Sequence, residues 1–367
     1  MNPSKGRGLQ VLSIISLVLL LYSFSVFSMA SKSKRKLIKE FTMMTYNVEN
    51  LFDTKHDRGK DDYTFLPLDQ KKAPEHVELC KKISVKKWRL ECLDLDWSEN
   101  SLQAKLANLA SVILSVNEGK GPDLLFLQEV ENHTALRLLR KELAPAQYDE
   151  VVLIEGRDQR GIDVAMLSRL PLLGSPSIHY VPFEEISEDR KKDTRGILEA
   201  HFDLGRDQEL IAYSLHLPAP YHPKKFREQS LRYLQKLREK NDTQALVIAA
   251  GDFNITDLED RLYDPIQNQL PKDQWKASHK ITSLNHPGSN YYDPKKSWSF
   301  LDVILFSHTF FDQKGWELDQ SSLQVVVGVK GQTNEQGHPM SFDVGSQKGM
   351  SDHLPIFAKV LYIEESR

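Results

Sequence analysis

Two oxygen-bearing side chains, Asp252 and Asn254, close the apolar run "ALVIAAGDFNIT" two residues apart. On an extended chain residues i and i+2 point the same way, so a carboxylate and a carboxamide would meet one spot at a strand end. That pair suits a metal ion or a phosphate, although Gly, Asp and Asn are also ordinary turn formers. The pattern recurs. Asn47 follows "MMTY", Glu129 follows "LLFLQ", Asp163 opens "DVAML", His216 lies in "YSLHL", Asp302 begins "LDVIL", and Asp352 and His353 precede "LPIF". One polar residue beside an apolar run can be an accident. Several on separate runs imply a shared site, because strand ends in a layered sheet converge on a common edge.

The elements that would position these groups are strands by composition and length: residues 41–48, 123–130, 163–170, 209–217, 245–253, 301–307 and 354–362. Helical periodicity lies between them. Residues 98–117 put Leu102, Leu106, Leu109 and Ile113 on one face, and residues 223–239 put Phe226, Tyr233, Leu234 and Leu237 together. Layers of helix on sheet follow. No repeat and no Gly/Ser-rich linker divides the chain, so residues 37–367 are expected to form one domain, with a charged, weakly periodic insertion at about 53–97 near the mouth of the site. Residues 308–349 carry loop-like Gly-rich stretches, and "GQTNEQGHP" is expected to be mobile.

At 367 residues, 40% hydrophobic and 27% charged, the chain can bury a sizeable core, which excludes a disordered protein. Its net charge of −3 excludes a globally basic nucleic-acid coat but allows a local basic patch. Lys5 and Arg7 precede the uncharged stretch Gly8 to Ala30, which is expected to be an export signal. Its near-spanning length, and the cations Lys32, Lys34, Arg35 and Lys36 behind it, also fit a retained membrane anchor. Either way residues 1–36 stand outside the fold, and the protein is expected to be periplasmic or secreted, or anchored through residues 8–30. An exported chain meets oxidising conditions, so Cys80 and Cys92 can pair; two free thiols fit the spacing equally, whereas a zinc site lacks a second Cys or His pair at ligand spacing.

In combination "TYNVENLFD", "LQEVEN", "GIDVAMLSR", "SLHLPAP", "GDFN", "WSFLDVILFS" and "GMSDHLPI" resemble the endonuclease/exonuclease/phosphatase superfamily over residues 40–362. The resemblance implies an α/β (α+β) four-layer sandwich, two packed mixed β-sheets flanked by helices, and hydrolysis of phosphoesters with a divalent metal. It makes Glu129 the principal metal carboxylate, with Asn47 and Asp352 supporting the ion, which would be Mg²⁺, with Mn²⁺ or Ca²⁺ as alternatives. Asp252 would activate the attacking water and Asn254 would hold a phosphate oxygen. His353, paired with Asp302, would face the phosphorane charge as an imidazolium. His216 would act as general acid on the leaving oxygen, with Asp163 as its partner carboxylate.

A nucleic acid is the expected substrate, because "SNYYDPKKSWSF" interleaves Tyr291, Tyr292 and Trp298 with Lys295 and Lys296, and Lys224, Lys225 and Arg227 follow "SLHLPAP". Tyr292, Trp298, Lys225 and Arg227 are therefore substrate-binding candidates in a protein expected to act as a monomer. Two alternatives compete: a phospholipase C or inositol/lipid phosphatase, which an exposed apolar hairpin near the site would favour, and a silent binding protein, which the full set of competent residues disfavours.

Overall fold

The computed structural model describes residues 39–187 and 194–363, so the expected export segment lies outside it. Fourteen strands are seen among the described residues: β1 Glu40–Leu51, β2 Leu124–Val130, β3 Glu150–Leu153, β4 Asp163–Ser168, β5 Leu172–His179, β6 Ile197–Gly205, β7 Gln208–His216, β8 Leu246–Asp252, β9 Trp275–Ala277, β10 Asn290–Tyr292, β11 Ser297–Ser299, β12 Asp302–Ser307, β13 Gly315–Val325 and β14 Ile356–Ile363. They form two six-stranded sheets, ordered β13-β14-β1-β2-β4-β3 and β5-β6-β7-β8-β12-β9, and a small hairpin β10-β11.

The two sheets share a plan. In the first, β1 runs parallel to β2 across the helix Glu99–Ile113; in the second, β7 runs parallel to β8 across the helix Lys224–Arg238. Parallel neighbours need such a crossover, and the remaining named pairings are antiparallel. Apolar alternation sorts the strand side chains into three cores. Phe41, Met43, Phe126 and Met166 meet Ala212, Ile248 and Ile304 between the sheets. Tyr46, Leu127 and Leu167 pack under the helix carrying Leu102, Leu106, Leu109 and Ile113, while Tyr213, Val247 and Val303 pack under Leu231, Leu234 and Leu237. The result is the four-layer sandwich, helix on sheet on sheet on helix.

Three departures from the sequence reading have physical reasons. Within 308–349, Gly315–Val325 is not loop but the edge strand β13; its outward face is polar, so the run lacks the continuous apolar signature of a doubly buried strand. The "GQTNEQGHP" turn is tied down: the Asn334 side chain accepts from the Gln336 and His338 amides, and His338 stacks on Tyr291. Residues 53–97 contain two short helices, Pro74–Lys81 and Lys86–Asp94, joined by a Cys80–Cys92 disulfide. His76 lies beside both sulfurs, but their covalent pairing spends them as metal ligands.

Candidate active site

Alternation predicts where each strand's last polar residue points. On β1, Asn47 continues the inner series of Phe41 and Met43; on β8, Asp252 continues Leu246, Ile248 and Ala250; on β12, Asp302 continues Ile304 and Phe306; on β7, His216 continues Leu210 and Ala212. All four therefore face the gap between the sheets at one end, where the apolar core gives way to polar groups. Register aligns them further. His216 on β7 is the lateral partner of Asp252 on β8, which is the partner of Asp302 on β12, giving a row across three adjacent strands. Gly251 permits this spacing: a Cβ there would lie 1.8 Å from the Leu215 carbonyl oxygen.

The first sheet answers with two bulges. Register slips between Asn47 and Leu51 and between Gln128 and Val130, and Glu49, Asn50 and Glu129 take left-handed φ values of 50°, 57° and 65°. Such conformations cost non-glycine residues free energy and gather at functional sites, where they re-aim side chains. Glu129 Oε2 accepts from the Asn50 amide at 2.9 Å, and its Oε1 lies 3.4 Å from Asn47 Nδ2. Asn47 Nδ2 also donates to Asp252 Oδ2 at 3.1 Å, bridging the two sheets.

Asp252 is the hub. Its Oδ2 lies 3.4 Å from His216 Nε2 and 3.9 Å from His353 Nε2, while Oδ1 accepts the Asn254 amide at 2.8 Å. Burial raises its pKa to about 7, the nearby His353 charge opposing and Asp302 adding to the shift. His353 Nδ1 is 2.7 Å from Asp302 Oδ2. Burial alone would discharge that imidazole, but the carboxylates of Asp302, Asp352 and Asp252 outweigh it and hold the ring charged. Asn254 commits one amide hydrogen to the Leu217 carbonyl at 3.0 Å and keeps a second.

Sequence reasoning missed Glu49 and Lys105. Glu49 Oε2 accepts the Asp352 amide at 3.1 Å, and its pKa is raised to about 7 by burial and by Asp352. It stands two residues after Asn47, the same spacing as Asp252 and Asn254, so its signal was available. Lys105, fully buried, donates to the carbonyls of Glu49 and Met350 at 2.7 and 2.8 Å. A lysine three residues after Leu102, on the apolar face of the helix, was the clue.

Several expectations need correction. Asp163 does not partner His216: its Oδ1 accepts the Gly156 amide, and among the described residues neither its Oδ2 nor His216 Nδ1 has a hydrogen-bond partner. Val164 and Met166 occupy the inter-sheet face of β4, which leaves Asp163 on the other. Burial and the charges of Arg195, Arg160 and His353 push the His216 imidazole well below its ordinary range, which works against the general-acid role expected of it. Arg227 is no substrate contact: it is buried in an ion pair with Glu259 and donates to the carbonyls of Pro218, Ala219 and His222. Lys225 is paired with Glu185. Tyr292 is exposed and Trp298 half-buried on the β10–β11 hairpin, which is tied to the site where Asn290 Nδ2 donates to the Asp352 carbonyl at 2.9 Å.

The donor set fits a hard divalent cation. Glu49, Glu129, Asp352 and the Asn47 carboxamide offer oxygen, and Mg²⁺ binds through one or two carboxylates while retaining waters. The one trio of His, Cys, Asp or Glu ligand atoms lying within 4.8 Å of one another among the described residues is His76 with the disulfide-bonded Cys80 and Cys92; the carboxylates at the sheet edge stand wider apart.

Two mixed sheets face to face, with carboxylates and imidazoles gathered at one end of the gap, define a two-sheet sandwich hydrolase centre. The chain belongs to the endonuclease/exonuclease/phosphatase family, whose model matches residues 44–353. Members are generally phosphoester hydrolases and are typically divalent-metal dependent. Among solved structures it resembles a humanized Danio rerio TDP2 carrying 14 mutations (TM-score 0.55, 16% identity, 88% of this chain and 98% of that one). It also resembles family proteins from Bacteroides thetaiotaomicron (0.53, 16%, 90% and 100%) and Bacteroides vulgatus (0.53, 15%, 88% and 99%). These likenesses concern the fold. No curated protein matches by sequence.

Proposed function

We propose that the protein is a divalent-metal-dependent phosphodiesterase cleaving nucleic acid outside the cytoplasm, most simply as an endonuclease. The observation that carries this reading is the row His216, Asp252, Asp302 facing Asn47 and Glu129 across the gap. Glu129, Asn47 and Asp352, joined by Glu49, would hold Mg²⁺, which when bound supplies charge neutralisation to the phosphoryl oxygens. Asp252 orients the attacking water and takes its proton. His353, fixed by Asp302, stabilises the charge developing on the equatorial oxygens, and Asn254 holds one of them with its free amide hydrogen. His216, whose Nε2 lies 3.4 Å from Asp252 Oδ2, helps to position that carboxylate.

Nucleic acid is favoured over a lipid headgroup by the β10–β11 hairpin. Tyr291, Trp298, His286 and His338 form a contiguous aromatic cluster, with exposed Tyr292, Lys295 and Lys296 at its tip. Aromatics beside cations stack bases and neutralise phosphates.

The test is cleavage of supercoiled plasmid, single-stranded DNA and RNA by the full-length protein with Mg²⁺, Mn²⁺ or Ca²⁺, beside His353→Ala. Metal-dependent cutting lost in the variant supports the reading. Release of headgroup from sphingomyelin or phosphoinositide alone moves the substrate to lipid, and no turnover with any of them overturns hydrolysis.

A further inference from the structure

The segment between Cys80 and Cys92 takes no part in the site, yet its composition is unusual. Over Pro74–Asp94 five cations stand against four acids, Glu75, Glu78, Glu91 and Asp94, but Lys81, Lys82, Lys86 and Lys87 gather around the turn Ile83–Val85, which holds no acid. The helices Pro74–Lys81 and Lys86–Asp94 bury only His76, Cys80 and Cys92. Val77 and Leu93 are half-buried, whereas Trp88 is 59% exposed, Leu90 46% and Leu79 37%, as is Val85, just before the second helix, at 41%. Val85, the extended residue that caps the second helix, and Trp88 in its first turn both stand at the end of the hairpin where the two helices join. Arg89 folds back on the carbonyls of Ile83 and Ser84, and together with the disulfide this fixes the turn. Lys81 and Lys87 lie 2.7 and 3.8 Å from Glu78 and Glu91. Lys82 and Lys86 are exposed and form no ion pair within 4.0 Å among the described residues, although Lys82 acts on Glu78 at longer range.

We propose that the disulfide-closed helical hairpin Pro74–Asp94 is a docking element for an anionic phospholipid surface. Charge complementarity selects an anionic partner. Chemistry selects lipid over nucleic acid, because three of the four exposed apolar side chains are aliphatic; these gain nothing from stacked bases but gain from the acyl boundary, where Trp and Lys are the favoured neighbours. A protein partner is disfavoured because lysine is depleted at protein interfaces. Neither the apolar tip nor the cations would suffice singly, but stable peripheral binding needs two such signals together, and both are present.

The experiment is co-sedimentation of the full-length protein, and in parallel of the compact unit Ile38–Arg367, with phosphatidylcholine vesicles with and without phosphatidylglycerol. The N-terminal segment contributes equally to wild type and variants, so their difference reads the hairpin. Wild type should sediment with the anionic vesicles, and Trp88 emission should be quenched by brominated lipid. Trp88→Ser with Leu90→Ser should weaken partition by roughly tenfold or more, and Lys82→Glu with Lys86→Glu by about fivefold or more per residue. All four residues are exposed, so thermal melting and cleavage of soluble substrate should stay unchanged, which separates this test from that of the site chemistry. Equal sedimentation of variants and wild type overturns the proposal. So does failure of the unit to bind anionic vesicles, or single-stranded DNA binding lost in the same variants while vesicles are ignored.

Discussion

The two sheets bring different chemistry to the same gap. The sheet containing β1, β2 and β14 contributes oxygen donors from bulges and from the turn before β14: Asn47, Glu49, Glu129 and Asp352. The sheet containing β7, β8 and β12 contributes a register-aligned row in which a histidine of lowered pKa, a carboxylate of raised pKa and a buried aspartate lie side by side. His353 joins them, because it precedes a strand of the first sheet while its ring is held by Asp302 of the second. The difference suggests that cation binding and proton handling are separable functions of the two sheets. Asn47, donating across the gap to Asp252, is their link.

The strongest way to break that comparison is a pair of isosteric substitutions. Asp252→Asn should lower kcat by about 10²–10⁴-fold without altering the metal concentration that gives half-maximal rate. Glu129→Gln should also be severely impaired, but partly rescued by excess Mn²⁺. Single-turnover rates measured across a metal titration check both; rescue of Asp252→Asn and not of Glu129→Gln would invert the assignment.

Next in size is Asp302→Asn. Asp302 helps keep His353 charged, so its loss should lower the imidazole pKa. The sign follows: activity that needs the imidazolium persists into alkaline solution in the wild type, and the alkaline limb of the pH–rate profile should move to lower pH in the variant, with kcat reduced by about 10²-fold. A limb that stays in place would separate His353 from the charge it is thought to stabilise.

How much of this was legible depends on burial. The strands that carry the site read clearly because most of their residues are buried on both faces, leaving apolar runs such as "LLFLQEV" and "DVILFS"; β14 is buried on both faces only in its first half. β3, β5, β6, β9, β10, β11 and β13 were not read: several are only three or four residues long, "LLGSPSIH" buries neither face fully, and "GWELDQSSLQV" exposes one face and mixes charge into it. Within the site, residue types and the two-residue spacing exposed Asp252 and Asn254. Nothing in one sequence shows that β7, β8 and β12 pair in the register that aligns His216, Asp252 and Asp302, or that left-handed bulges turn Glu49 and Glu129 inward. Asp163 and Arg227 were misjudged for the converse reason: their neighbours in sequence suggested the site, while alternation and a buried ion pair took them out of it.

Arg227 offers a smaller test, of structure against substrate binding. Arg227→Met would strand Glu259 and three carbonyls, so stability should fall by about 3–5 kcal/mol with little change in KM at temperatures where the variant is folded. Chemical denaturation alongside steady-state kinetics distinguishes the outcomes; a raised KM with unchanged stability would restore it to the substrate groove of the second sheet.

The smallest expected effect is a gain, at Asp163. Burial raises its pKa to about 7, with the Gly156 amide opposing. The unfolded carboxyl titrates near 3.9, so the folded state is favoured by protonation: this contribution to stability is complete below about pH 4 and lost as pH rises through 7. Asp163→Asn keeps an oxygen for the Gly156 amide and cannot ionise, while its new amide hydrogens meet the space where Oδ2 had no partner, which offsets part of the benefit. The net expectation is about 1–3 kcal/mol of added stability above pH 7 and none near pH 4, read from denaturation at the two pH values. The catalytic rate should not move, because Asp163 lies off the inter-sheet face. If the variant instead loses catalytic rate, Asp163 acts with His216 after all, and the first sheet supplies proton handling as well as oxygen ligands.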